Sequence, residues 1–230
     1  LESIGNRIEK IEKKVKAGKD KDDIQELEAL IKAKSALEKN EALRTVDFTK
    51  EELHAIKSYN FLTLKPIIYM ANINEDEVAT EDNEYVKKVK EYASKENAKV
   101  IKVCAKIEEE LSQLDDDDHQ DMLAALGIQM SGLDQLIKAT YDLLGLATYF
   151  TVGKDEVRAW TFKKGMNAKE CAGIIHTDFE KGFIRAEVMS YDDLVSCGSE
   201  LKVKEAGRAR LEGKDYLMQD GDICYFRFNV

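Results

Sequence analysis

Two short polar segments stand where apolar runs end, and their residue types suit the recognition of a planar ligand. The first consists of Asn72, Ile73, Asn74 and Glu75, and the second of Cys104, Ala105 and Lys106. Amide, carboxylate and backbone groups of this kind can hydrogen-bond to the edge of a heterocyclic base. The chemistry that the two segments indicate is therefore base recognition.

Nucleotide-binding domains that carry a P-loop read the base with two such loops. In guanine-specific domains the first loop is Asn-Lys-x-Asp, and its Asp accepts two hydrogen bonds from guanine. Glu75 would misplace that carboxylate by a methylene, and adenine lacks the matching donors, so we expect guanine selection to be lost. Ile73 replaces the Lys whose stem covers the base and predicts an apolar lid. Because Asn-x-x-Glu is common by chance, the alternative is an acidic loop or a helix cap.

Two strands must place these segments. Residues 67–71 are a continuous apolar run that predicts a strand buried on both faces, and residues 100–105 predict a second strand. Between them, residues 84–96 predict a helix with Tyr85, Val89 and Tyr92 or Ala93 facing inward. This order predicts parallel strands whose carboxyl ends meet at one edge of a sheet. Two strands are too few for a domain, so we expect the others to come from sequence before Leu1.

The first 60 residues have a helical pattern. Two apolar stripes on either side of Gly18 predict two helices that pack antiparallel as a hairpin. The first stripe is Ile4, Ile8, Ile11 and Val15, and the second is Ile24, Leu27, Leu30, Ile31 and Leu37. Asp20 or Asp22 is expected to cap the second helix. A capping box at Thr49 predicts a third helix through about Tyr59, with Leu53, Ile56 and Tyr59 or Phe61 facing inward.

In residues 148–230 apolar and polar side chains alternate as they do in strands, in place of the helical pattern of the first 60 residues. Residues 149–152 and 157–162 predict a β-hairpin around the turn formed by Gly153, Lys154, Asp155 and Glu156. A helix over 168–175, capped at Asn167 or in the preceding turn, is expected next, followed by strands at 184–188 and 223–228. Hairpin, helix and further strands in so few residues match a β-grasp (ubiquitin-like) module, a fold that hosts many functions.

Composition limits the class of protein. The chain has 230 residues and a net charge of −10, and residues 45–147 alone hold 11 basic and 21 acidic side chains. The acidic character of residues 45–147 argues against nucleic acid binding by this stretch. Residues 1–19 are basic instead, with six basic and three acidic residues. The four cysteines form no paired motif, which fits a reducing cytosol. No signal peptide or transmembrane run is visible.

Three further groups each have a functional and a plainer interpretation. A basic group could contact RNA phosphates or form the solvated face of a helix. Its members are Arg7, Lys10, Lys13, Lys14 and Lys16. His176 could contact RNA or a partner, or it could cap a helix C-terminus, which the helix dipole favours. The four Asp residues 115–118 lack the alternating ligands of a cation site, so they predict a solvated loop.

Several longer segments resemble the Obg-like ATPase family, in its YchF-type subgroup, over the entire chain. The matching segments are residues 64–66 with 72–75, 105–108, 149–160, 172–187, 210–216 and 219–222. The resemblance implies a multidomain protein of mixed α+β and α/β class. Its expected parts are a helical (coiled-coil) hairpin at 1–60, the C-terminal part of a P-loop α/β nucleotide domain at 61–146, and a β-grasp TGS domain at 147–230.

The same resemblance implies a function. Members of this family bind ATP in preference to GTP, hydrolyse it with Mg²⁺ and associate with ribosomes. The expected partners are therefore ATP and the ribosome or its RNA, in the cytoplasm, with no membrane and no DNA specificity. The nucleotide-binding residues would be those of 72–75 and 104–106, although many members have Ser where Cys104 stands.

The chain departs from the family pattern in one respect. No G-x-x-x-x-G-K-[ST] sequence occurs in it, and that sequence supplies the amides and the lysine that hold nucleotide phosphates. The Mg²⁺ ligands of the family also precede the matching region. We therefore assign no catalytic residue and expect no hydrolysis by this chain alone. The alternative is a non-enzymatic RNA- or protein-binding adaptor built on the hairpin and the β-grasp module.

Overall fold

The computed structural model describes residues 1–18, 20–153 and 156–229. The chain divides into two compact units, the N-terminal unit of residues 1–136 and the C-terminal unit of residues 137–230. Within the described ranges, no helix has the length and apolar character that crossing a membrane requires. Lys154 and Asp155, two of the predicted turn residues, lie outside the described residues.

The N-terminal unit begins with a pair of helices, α1 (Glu2–Ala17) and α2 (Lys21–Glu38). Asp20 caps α2 by accepting a hydrogen bond from the amide of Asp22 at 2.9 Å. Ion pairs join Arg7 to Glu26 at 2.9 Å and Lys14 to Asp23 at 3.9 Å, so residues later in α1 meet residues earlier in α2. This order means that the two helices run antiparallel.

The buried face of α2 differs in part from the predicted stripe. Leu30 is fully buried, as expected, but Ile31 is 48% exposed. The remaining buried positions of α2 are Ala29, Ala33 and Ala36. Ala29 packs in a cluster with Ile8 and Ile11 of α1, and Ala33 and Ala36 pack with Leu43. Ile31 lies about 100° further round the helix from Leu30 and therefore points away.

Helix α3 (Lys50–Ile56) starts at the predicted capping box, in which Thr49 and Glu52 exchange hydrogen bonds of 3.1 and 2.7 Å. A 3₁₀ turn over Lys57–Tyr59 follows it. Ile56 is fully buried, but Leu53, predicted to face inward, is 39% exposed. Glu52 pairs with Lys32 of α2 at 3.1 Å, so the face toward α2 carries Glu52 and Ile56, four residues apart.

Strands β1 (Ile68–Asn72) and β2 (Lys99–Val103) pair in parallel, with Ile68 opposite Lys99 and Asn72 opposite Val103. The parallel pair is the one that the sequence predicts. Burial of β1 on both faces was a wrong expectation, because Met70 is 51% exposed. A two-stranded sheet has too few neighbouring elements to cover both of its faces.

Helices α4 (Glu84–Lys95), α5 (Ala105–Leu111) and α6 (Asp116–Ala125) complete most of this unit. The inward face of α4 carries Val86 and Ala93, so of the two predicted alternatives Ala93 is the buried one and Tyr92 is 54% exposed. Tyr85, predicted to face inward, is 78% exposed. The four-Asp run is also not a loop. Asp115 caps α6 by accepting from the amide of Asp118 at 3.1 Å, and residues 116–118 form the first turn, where the helix dipole favours carboxylates.

Helix α7 (Gly132–Leu144) contains the boundary between the units, and a mixed five-stranded sheet dominates the C-terminal unit. The strands are β3 (Leu146–Val152), β4 (Val157–Lys163), β5 (Phe183–Ser190), β6 (Arg210–Glu212) and β7 (Asp222–Phe228). Their order is β4-β3-β7-β5-β6, with β3 and β7 parallel and the other neighbours antiparallel. The β3–β4 hairpin is the predicted one.

Four helices accompany this sheet. They are α8 (Ala168–Ile175), α9 (Thr177–Lys181), α10 (Tyr191–Cys197) and α11 (Glu200–Glu205). Asn167 caps α8 in a capping box with Glu170, as predicted. His176 ends α8, but its Nδ1 accepts a hydrogen bond from the amide of Asp178 at 3.1 Å and thereby caps the start of α9. The predicted role at a helix C-terminus is confirmed, because His176 is the C-cap of α8 and its amide donates to the carbonyl of Ala172 at 3.3 Å; the cap of α9 is an additional role.

The core of the C-terminal unit lies between the sheet and α8. Tyr149 is fully buried, and its hydroxyl donates to the carbonyl of Cys171 at 2.8 Å. The rings of Phe162 and Phe226 meet the Tyr149 ring edge-on, at centroid distances of 5.8 and 5.9 Å. Burial raises the pKa of the Cys171 thiol to about 12 and also raises that of Cys224, so both thiols stay protonated.

Gly182 lies between α9 and β5, where two backbone segments meet. Its carbonyl accepts a hydrogen bond from the amide of Asn229 at 2.9 Å. A Cβ at this position would collide with the carbonyl of Asn229, which is backbone and cannot rotate away. We expect Gly182→Ala to lower the free energy of unfolding by about 1–3 kcal/mol, measured by urea denaturation. Gly213→Ala, whose Cβ would meet nothing within 4 Å, is the control, and equal losses would contradict the clash.

Acid should weaken the α1–α2 pair through Glu26. Burial raises the pKa of this carboxyl, but hydrogen bonds from Arg7 and Tyr59 outweigh it and hold the pKa below its usual value. A folded-state pKa below the unfolded one stabilises at neutral pH, and this contribution disappears as the pH falls through the folded value. We expect Glu26→Gln to be less stable at pH 7 and to lose less stability on acidification than the wild type. Glu28→Gln, at an exposed position on the same helix, should lose as much stability on acidification as the wild type does.

Candidate functional site

The two predicted segments meet at the carboxyl edge of the β1–β2 sheet. The side-chain Oδ1 of Asn72, the last residue of β1, accepts a hydrogen bond from the amide of Ala105 at 3.1 Å. The amide of Ile73 donates to the carbonyl of Val103 at 2.8 Å and extends the strand pairing by one bond. The structure thus brings the segments 72–75 and 104–106 together, and we call this place the carboxyl edge.

Charged side chains from both segments also pair at this edge. Lys106 Nζ lies 2.6 Å from Glu75 Oε1, and both side chains are at least half exposed. The hydrogen bond that Lys106 donates to Glu75 raises the pKa of Lys106, so the lysine is fully charged at neutral pH. Any ligand at this edge would meet a carboxylate with one oxygen already engaged by a cation.

Ile73 and Cys104 lie beneath the edge rather than on it. Ile73 is 8% and Cys104 is 5% exposed, and both belong to a cluster of buried side chains with Ile107, Leu111 and Leu123. The Ile73 side chain therefore anchors its segment to the core and does not form the expected lid. Ile73 and Cys104 each directly follow a strand and pack into this buried cluster, although the neighbours of Ile73 in the sequence, Asn72 and Asn74, are polar and exposed.

The loop after Asn74 is ordered by its own hydrogen bonds. A 3₁₀ turn over Glu75–Glu77 follows Asn74, whose amide donates to Glu77 Oε2 at 3.1 Å. Glu77 Oε1 accepts from the side-chain amide of Asn83 at 2.7 Å. The helix-cap interpretation of this tetrapeptide is therefore correct for its backbone, while Glu75 still reaches the carboxyl edge.

Lys102 holds the same loop from β2, and the sequence analysis missed it. Its Nζ donates to the carbonyls of Glu77 at 3.1 Å and Thr80 at 2.8 Å, and lies 3.8 Å from Asp82 Oδ1. The available signal was strand alternation, because Lys102 stands between the buried residues Ile101 and Val103 and so faces the other side of the strand.

The second segment is fixed by Glu108, another residue without a predicted role. Its carboxylate accepts from the amides of Gly132 at 2.7 Å and Leu133 at 3.0 Å, which are free donors at the start of α7. A Cβ on Gly132 would lie 2.7 Å from Val103 Cγ1, so only glycine fits between α7 and the end of β2. The carboxyl edge is therefore braced on both of its segments.

No group of three or more His, Cys, Asp or Glu side chains within the described ranges is arranged to hold a metal ion. The carboxylates near the carboxyl edge are occupied in other ways, since Glu75 pairs with Lys106, and Glu77 and Glu108 accept backbone amides. The residues present at this edge therefore suit an uncharged, planar ligand better than a cation.

Comparison with known proteins identifies the class. The family model YchF-GTPase_C, described as "Protein of unknown function (DUF933)", matches residues 146–229. The Ribosome-binding ATPase YchF of Bacillus subtilis is 57% identical over 231 residues, which cover 100% of this chain and 63% of that protein. Obg-like ATPase 1 of Rattus norvegicus is 40% identical, with 100% of this chain and 59% of that protein covered.

A solved structure agrees with the sequence comparison. The structure of the Schizosaccharomyces pombe YchF GTPase superimposes with a TM-score of 0.83 at 32% identity, over 98% of this chain and 61% of that chain. The fold is thus the mixed α/β, multidomain arrangement of that structure. Over its full length the chain is homologous to proteins named Ribosome-binding ATPase YchF and Obg-like ATPase 1. It spans about three fifths of the length of these relatives.

The brace from Lys102 predicts how the loop over residues 75–82 behaves. Lys102→Met keeps the aliphatic stem but removes the ammonium that binds two carbonyls, so the loop should open more often. We expect amide hydrogen exchange over 75–82 to accelerate by at least about tenfold, measured by mass spectrometry. Lys95→Met, an exposed lysine at the end of α4, serves as the control. Unchanged exchange in Lys102→Met would show that the loop is held by other contacts.

Proposed function

We propose that the protein is a P-loop ATPase that associates with the ribosome, and that this chain supplies the edge that reads the adenine base. The observation that carries the proposal is the hydrogen bond from the Ala105 amide to Asn72 Oδ1, which joins the segments 72–75 and 104–106 at adjacent strand ends. Ligands of parallel sheets bind beyond the carboxyl ends of the strands. The names of two relatives, Ribosome-binding ATPase YchF and Obg-like ATPase 1, support the same function.

The ion pair between Glu75 and Lys106 supports a preference for ATP over GTP. Guanine offers adjacent ring and amino donors, which a carboxylate with two unengaged oxygens accepts best. Glu75 has one oxygen 2.6 Å from Lys106 Nζ and is a methylene longer than Asp, so it is poorly placed for such a bidentate contact. Adenine lacks this pair of donors and needs no bidentate contact with a carboxylate. The backbone and amide groups of residues 72–74 and 104–106 would then contact the base.

The chain's own residues would bind the base but not the phosphates. Phosphate contacts and Mg²⁺ ligands would come from a P-loop outside this chain, because no G-x-x-x-x-G-K-[ST] sequence lies within it. Mg²⁺ would supply charge neutralisation at the phosphates when bound. No step of hydrolysis is therefore assigned to any residue described here.

The proposed division into domains follows the same family. Residues 1–60 would form a coiled-coil hairpin, residues 61–146 the C-terminal part of the nucleotide domain, and residues 147–230 a β-grasp TGS domain. The β-grasp assignment is supported by the sheet of the C-terminal unit, in which β3 and β7 are parallel neighbours and β3 also forms a hairpin with β4.

A contact with ribosomal RNA would use the outer face of α1, in the cytoplasm. Arg7 is engaged by Glu26 and Lys14 by Asp23, so phosphate contacts would fall to the exposed residues Lys10, Lys13 and Lys16. Charge on one face of a helix is enough for a salt-dependent contact with RNA but carries no sequence preference.

Shortening the carboxylate tests the base-reading role. In the full-length protein, Glu75→Asp should raise the ratio of GTP to ATP affinity by about tenfold, or about 1.4 kcal/mol, because the shorter side chain releases Lys106 and aligns with guanine. Isothermal titration with both nucleotides measures the ratio. Glu81→Asp, in the same acidic loop but away from the edge, should leave it unchanged. An unaltered ratio in Glu75→Asp rejects this role, and a protein that binds neither nucleotide supports the adaptor hypothesis instead.

A further inference from the structure

A groove of about 460 Å³ opens on the N-terminal unit between α3 and the segment that leads into β1. Lys50, Lys57 and Lys65 lie around it, and no Asp or Glu lines it. Residues 45–147 hold only 11 basic side chains against 21 acidic ones, yet three of the 11 gather at this groove. The groove is therefore positively charged, although it lies in the most acidic stretch of the chain.

The charges of these lysines are available to a ligand. Among the described residues, none of the three takes part in a recorded ion pair. Other lysines of the same unit are engaged, since Lys32 meets Glu52 and Lys106 meets Glu75, at 3.1 and 2.6 Å. An ammonium group without a carboxylate partner in an acidic unit favours an external anion.

The floor of the groove is apolar. It is formed by Leu53, Phe61, Leu64 and Pro66. Leu53 lies on α3, and 39% of it is exposed. Phe61 stacks on Tyr59, with ring centroids 5.4 Å apart and planes 9° from parallel, so one face of its ring is already covered. The groove thus suits aliphatic side chains better than nucleic acid bases, which need an open aromatic platform.

Local contacts fix the walls. The capping box at Thr49 sets the start of α3, and Asn60, at φ 49°, adopts the left-handed conformation that turns the chain after the 3₁₀ helix. Arg44 Nε donates to the carbonyl of Lys65 at 2.9 Å, and its Nη1 pairs with Glu96 at 3.2 Å in a mostly buried ion pair. A preformed groove of this kind needs little ordering when a ligand binds.

We infer that this groove binds an acidic segment of a partner protein in which Leu or Phe residues stand among Asp and Glu. The carboxylates would meet the ammonium groups of Lys50, Lys57 and Lys65, while the apolar side chains would cover Leu53 and Leu64. An extended or helical segment with such a face binds grooves through apolar anchors, and complementary charge speeds and orients the encounter. The site is separate from the carboxyl edge and does not depend on nucleotide binding.

A peptide of about twelve residues composed of Asp, Glu, Leu and Phe, labelled with a fluorophore, tests the inference by fluorescence anisotropy. The triple variant Lys50→Glu, Lys57→Glu, Lys65→Glu should bind it at least about tenfold more weakly, because three charges that attract the carboxylates of the peptide become three that repel them. The matched control is Lys87→Glu, Lys88→Glu, Lys95→Glu at exposed positions of α4, which has the same charge change and should bind as the wild type does. Circular dichroism verifies that both variants are folded.

Two further measurements separate the apolar part from the charge. Replacing every Leu and Phe of the peptide by Ser should weaken binding to the wild type by about fivefold or more, because the floor loses its contacts. The single variant Leu53→Ser, at an exposed position, should weaken binding of the original peptide without any change of charge. This variant also serves if the triple variant does not fold.

Four results would overturn the inference. The groove variants could bind the peptide as the wild type does, or the Ser-substituted peptide could bind as tightly as the original. A uridine homopolymer could bind to the wild type and lose affinity in the groove variant as much as the peptide does, which would make the groove a phosphate site. Sedimentation could show self-association that the groove variant abolishes and no peptide binding, which would make a second copy the occupant.

Discussion

The parallel pairing of β1 and β2 is the constraint on which the candidate site depends. It brings Asn72 and Ala105, 33 residues apart in the chain, close enough for the side-chain oxygen of one to accept from the amide of the other. Strand side chains alternate between faces, so a slip of one residue in the pairing would turn Asn72 away from the edge and separate the two segments. The register is in turn fixed by the burial of Ile101 and Val103 on one side of β2.

Local sequence signals predicted the elements well, because they act within a few residues. The capping box at Thr49 and the β3–β4 hairpin lie where the sequence places them, and the caps at Asp20 and Asn167 are each one of the two predicted alternatives. Burial was predicted less well, since it depends on which neighbours an element meets. Met70 and Tyr85 are exposed for this reason. The short helices α10 and α11 have too few turns to show an apolar period, and the sequence analysis did not predict them.

The candidate site, too, could be predicted only in part from the sequence. Adjacency of the two segments could be predicted from strand order alone, because carboxyl ends of parallel strands share an edge. The inward turn of Ile73 and the bonds made by Lys102 and Glu108 could not, because they depend on packing between residues far apart in the sequence. The comparisons show that the chain is similar over its full length to proteins named Ribosome-binding ATPase YchF and Obg-like ATPase 1. The structure adds which groups of this chain are already engaged at the edge.

The amine of Lys102 contacts two carbonyls and lies near a carboxylate of the loop that follows the carboxyl edge. The conformational entropy of that loop is therefore given up during folding and not when a ligand arrives. Contacts made there translate more fully into affinity than contacts with a disordered loop would. Selectivity benefits as well, since a stiff wall cannot adjust its shape to a ligand of slightly different outline.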